Sequence, residues 1–167
     1  MQFLKKEIFY PDSSATEETN YEIKMQEARN AYQKYLDEKR EQFPKSLYSA
    51  YLKSDFFHDY AVKSIKIDGD GWCYWKKSDV VTLEIRYNHN EYTLVFDKIS
   101  YFKLLNEQRE SCWVGNCSPT NGLEEIVLTE IRIVEDKIFA FEFLTSSGAI
   151  FEIHFQSIKI ERKKIYN

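Results

Sequence analysis

The sequence predicts an α+β protein. A long N-terminal amphipathic helix and a short second helix pack on a curved six- or seven-stranded antiparallel β-sheet or open barrel. The first observation is alternation. Val81, Leu83, Ile85 and Tyr87 fall at every second position, as do Tyr92, Leu94 and Phe96, then Phe139, Phe141 and Phe143, then Phe151, Ile153 and Phe155. A period of two places each set on one face of a strand. The second is a stripe near the start, where Tyr21, Met25, Ala28, Tyr32 and Tyr35 recur at steps of four and three, as on one side of a helix. The third is that Ile138, Ala140 and Leu144 oppose Phe139, Phe141 and Phe143. A strand apolar on both faces needs cover behind it, and the helix stripe is the available cover.

Residues 1–12 read as a short lead, an edge strand or an irregular packing segment. Ser14 and Glu17 have the spacing of a capping box, and a helix follows over about 16–42. Pro44 ends that helix and opens a shorter one, carried by Leu47, Tyr48, Tyr51 and Leu52. A strand over about 60–67 leads to the turn Asp68-Gly69-Asp70-Gly71. Strands at about 79–88 and 91–97 form a hairpin around Asn88-His89-Asn90, and 98–122 reads as one long connection. Strands at about 125–134 and 137–145 pair across Glu135-Asp136. The last strand, about 149–162, follows a turn at Ser146-Ser147-Gly148. Its apolar parity changes from Phe155 to Ile158, which predicts a β-bulge near Gln156-Ser157. Residues 1–55 are thus lead and helices and 56–167 an antiparallel β domain, together one globular unit.

Composition narrows the functional classes. At 167 residues the chain buries roughly 70% of its unfolded surface without disulfide or metal. Aromatic residues make up 16% of it, and each one buries about 150–250 Å², enough for a thick core. A formal charge of −4 argues against a nonspecific nucleic-acid binder. No apolar run reaches a membrane span, and the first residues show no signal peptide. Cys73, Cys112 and Cys117 lack CxxC spacing and read as reduced thiols in a cytoplasmic protein.

The candidate sites are few. His58-Asp59 could supply metal ligands or a base with its orienting carboxylate; the plainer reading is a turn cap with a backbone-bonded imidazole. His154 shares a face with Glu152 and Gln156 and reads as solvated or helix-covered, and His89 as a turn residue. Asp68-Gly69-Asp70-Gly71 lacks the further oxygen ligands of a calcium loop. The cysteines with His154 fit no zinc pattern. The basic tail of Lys159, Arg162, Lys163 and Lys164 reads as a solvated strand end. Trp72, Tyr74, Trp75 and Trp113 are candidate partner-binding residues, because tryptophan and tyrosine dominate interface hot spots; otherwise they close the ends of the sheet. Catalytic residues, metal and cofactor are assigned to none.

Phe57-His58-Asp59 with Val62 and Ile65, then Leu83 and Ile85, then Leu94-Val95-Phe96, resemble small uncharacterised proteins of Gram-positive bacteria. In these a helical start leads to a histidine-aspartate dipeptide and alternating strands. The resemblance covers about residues 56–160. Such families are catalogued as domains of unknown function, and some of their members are regarded as immunity proteins that neutralise secreted toxins. It implies a non-enzymatic role and assigns no site. The expected function is a cytoplasmic protein-binding module, immunity-like. The alternative is a carrier of a small apolar ligand on the concave face of the sheet.

Overall fold

Alternation builds eight strands in the computed structural model, which describes residues 2–4, 18–68, 80–105 and 125–165. They are β1 (Ala61–Asp68), β2 (Val80–Tyr87), β3 (Asn90–Asp97), β4 (Tyr101–Leu105), β5 (Ile126–Glu135), β6 (Ile138–Thr145), β7 (Ile150–Phe155) and β8 (Ser157–Lys164). The expectation of one curved sheet is corrected. The strands divide into two four-stranded antiparallel sheets, ordered β1-β2-β3-β8 and β4-β7-β6-β5, and no closed barrel forms among the described residues.

Two passages between the sheets explain the error. β3 reaches β4 across residues 98–100, so a strand stands where one long connection is expected. β7 reaches β8 across Gln156 alone, so the parity change marks a corner where the chain leaves one sheet for the other. Strands that switch sheets at a bend are how two sheets share a corner. The apolar side stays inward on both: Phe155 is buried before the bend, and Ile158 and Ile160 are half-buried after it.

The two inner faces fill each other. Phe96 of the first sheet lies with its ring centroid 5.7, 6.3 and 5.0 Å from Phe141, Phe151 and Phe155 of the second. Phe143 and Phe151 stack at 4.7 Å. Such aromatic pairs add about 0.5–1.5 kcal/mol each beyond their buried area. Phenylalanines of both sheets thus fill the space between them.

Among the described residues two helices precede the sheets, α1 (Glu18–Lys39) and α2 (Lys45–Lys53), with a 3₁₀ turn at Arg40–Gln42 between them. The broad amphipathic stripe expected of α1 is not matched. Of its described side chains only Met25, Tyr32 and Leu36 are buried, and Ile23 is 54% exposed. Nor does α1 lie behind the doubly apolar strand β6. The tyrosines of α1 reach the outer edge of β5, which beyond Ile126 pairs with no neighbouring strand among the described residues, and an exposed edge invites wrong pairing. The Ile131 N–H donates to Tyr32 Oη at 2.6 Å, and Ile133 N–H donates to Tyr35 Oη at 2.9 Å. Tyr32 Oη donates to Tyr51 Oη at 3.0 Å, and Tyr51 Oη donates to the Thr129 carbonyl at 2.7 Å. A relay through two phenols thus leaves the strand at Ile131 and returns to it at Thr129. α2, which carries Tyr51, also packs on β8.

Candidate functional site

Between α2 and β1 the chain reverses through an unusual turn. Asp55, Phe56 and Phe57 have φ of 52°, 58° and 57°, and Asp59 has φ of 63°. None of them is glycine, and left-handed backbone costs roughly 1 kcal/mol or more for each such residue. The surrounding contacts hold it. Phe57 is fully buried, with ring centroids 5.3 Å from Tyr92 of the first sheet and 6.1 Å from Phe141 of the second. The Asp59 N–H donates to the Ile126 carbonyl at 2.9 Å, and the Ile126 N–H donates to the Tyr60 carbonyl at 2.9 Å. Thr129 Oγ1 donates to the Phe56 carbonyl.

Driving Phe57 into the core turns its neighbours outward, and they wall a cavity of about 440 Å³, within the range of ligand pockets. Asp55, Phe56 and His58 form one side; Arg29, Asn30, Tyr32 and Gln33 of α1 form another. Val127, Leu128 and Thr129 of β5 and Leu4 complete it. The base is apolar and the rim polar, with Arg29, Asn30, Gln33, Asp55 and His58 exposed. Replacing Asp55 or Asp59 by glycine should raise stability by about 0.5–1 kcal/mol, because glycine enters the left-handed region without a Cβ clash. Denaturant titration checks it; a loss of stability at both positions would refute the strain.

His58 and Asp59, the polar candidates from the sequence, stand at this rim. His58 Nδ1 lies 2.8 Å from Asp59 Oδ1, with both side chains about half exposed. At that exposure the pair contributes at most about 1 kcal/mol, but it fixes the imidazole so that Nε2 remains available. The His58 N–H donates to the Asp55 carbonyl at 3.0 Å. The other candidates, Trp72, Tyr74, Trp75 and Trp113, lie outside the described residues, as do Cys73, Cys112 and Cys117. The described ends of their connections lie apart. Asp68 pairs with Val80 at the end of the first sheet where β3 and β8 meet the corner. Leu105 pairs with Ile150 in the row that continues to Leu144 and Leu128, at the far end of the second sheet.

A charged network that the sequence reading missed crosses the outer face of the second sheet. Register aligns Lys103, Glu152, Glu142 and Glu130 in one row and Tyr101, His154, Ala140 and Arg132 in the next. The small Ala140 opposite Arg132 leaves room for the guanidinium to reach Glu142 and, at 3.6 Å, Glu152. Its Nε lies 3.8 Å from Glu130, and His154 Nε2 lies 3.0 Å from Glu152. Glu130 is fully buried. Its carboxylate accepts the backbone N–H groups of Gln2 and Phe3 at 2.8 Å each and that of Leu4. Among the described residues no cluster of histidine, cysteine and acid side chains has the makings of a metal site, and no helix is long and apolar enough to cross a membrane.

No family model matches the chain, and no curated protein matches it.

Proposed function

We propose that this protein is a non-enzymatic protein-binding module, of the immunity-protein kind, that receives a segment of its partner in the cleft between α1, the left-handed turn and β5. The observation that supports the reading is the turn itself. Backbone strain maintained by surrounding contacts gathers at functional positions, and here it forms one wall of a 440 Å³ cleft. An apolar base under a polar rim suits a side chain presented on a polypeptide, whose backbone meets the rim. The carrier alternative has less support, since phenylalanines fill the space between the sheets. His58 with Asp59 then acts as an oriented hydrogen-bonding group rather than as a base.

Peptide display on the immobilised protein tests the reading. Selected peptides should lose about tenfold or more in affinity, about 1.4 kcal/mol, when Arg29 and His58 are replaced by alanine. A library that enriches nothing, or only peptides indifferent to Arg29, His58 and Phe56, overturns it.

A further inference from the structure

We infer that residues 2–4, bent at Phe3 and Leu4, occupy within their own chain a groove built for a short, bent polypeptide segment. A partner segment with an aromatic residue followed by an aliphatic one displaces them and runs on into the cleft. The inference rests on the protein-binding reading above and names the chemistry of the partner's segment.

Three features of the groove select that chemistry. Glu130 is fully buried yet meets three successive backbone N–H groups, those of Gln2, Phe3 and Leu4. A buried carboxylate stripped of its donors is costly, so an occupant must bring consecutive amides, which a polypeptide does and an apolar small molecule does not. The position of Phe3 is aromatic, its ring centroid 5.5 Å from Tyr32 and 5.1 Å from Tyr35. That of Leu4 is aliphatic: the side chain is buried and also lines the cleft. Groove and cleft therefore join at Leu4. A partner peptide exchanges like for like at Glu130, then gains the cleft, where Arg29, Asn30 and Gln33 offer donors to its carbonyls.

The probe is the synthetic peptide acetyl-Gln-Phe-Leu-Lys-Lys-amide, fluorescently labelled, titrated by anisotropy into the full-length protein. The variant Phe3→Ala with Leu4→Ala, which weakens the internal occupant, should bind the probe about tenfold or more tighter than the unsubstituted protein. The same probe with serine for its Phe and Leu should not bind. Equal binding by both proteins, or no binding by a variant whose circular dichroism shows it folded, overturns the inference. Hydrogen exchange on the unsubstituted protein serves if that variant fails to fold. Excess unlabelled peptide should speed exchange at the Phe3 and Leu4 amides while β5 stays protected, and unchanged exchange also overturns the inference. If display still selects peptides that depend on Arg29 and His58 while this probe fails, only the inference about the groove falls.

Discussion

Replacing Glu130 by alanine is expected to destabilise the fold by about 3–5 kcal/mol, the range for removing one partner of a buried charge pair. At roughly 2–4 °C per kcal/mol for a domain of this size, the melting temperature should fall by on the order of 10 °C. Two losses combine. The amides of Gln2, Phe3 and Leu4 lose their shared acceptor, and Arg132 loses the carboxylate beside its Nε, keeping Glu142 and Glu152. Glu130→Gln retains one acceptor oxygen but turns an N–H₂ donor toward amide donors, so it should fall between alanine and the unsubstituted protein. Hydrogen exchange should show the Phe3 and Leu4 amides freed in both variants. A cost below about 1 kcal/mol for alanine, the level of an exposed ion pair, would mean the carboxylate does not hold the segment.

The fold class was readable because burial repeats along a strand at a period that a single sequence displays. What crosses between strands was not readable. Glu142 shares parity with Ala140 and Leu144, and alone it looks like an interruption of an apolar face. It becomes part of a network only when register sets it between Glu130 and Glu152. β4 was hidden for the same reason. Its short run Tyr-Phe-Lys-Leu-Leu is a strand because β7 pairs with it, and local propensity alone does not mark it. The corner at Gln156 left a trace as a parity change, but an inserted residue and a change of sheet leave the same trace. His58-Asp59 was visible as a dipeptide. Its setting was not, since nothing in Asp-Phe-Phe announces left-handed backbone; the burial of Phe57 and the bonds to Ile126 impose it. In α1 the tyrosines read as apolar surface, and their hydroxyls proved to be the feature that places the helix.

Those hydroxyls carry the remaining large prediction. Tyr51→Phe removes the link between Tyr32 and the Thr129 carbonyl while keeping the ring, so it should cost about 1–3 kcal/mol, the penalty for buried partners left unsatisfied. Tyr32→Phe strips the acceptor from the Ile131 amide and should cost a similar amount. The double variant should lose less than the sum, because both substitutions break one relay. A pH signature separates this network from ordinary packing. Burial holds both phenols above the usual tyrosine range, well above it for Tyr32. Their folded pKa values are thus raised over the unfolded value near 10, so the stabilisation is complete below pH 10 and declines as pH rises. In that window the unfolded chain has released each proton while the folded chain still holds it, and stability falls by about 1.4 kcal/mol per pH unit for each trapped phenol. Tyr51→Phe should therefore show a shallower alkaline slope as well as a lower plateau at neutral pH. Equal slopes in denaturant titrations above pH 10 would show that the phenols ionise in the folded state, and the account of how α1 and α2 seal the edge of β5 would fail.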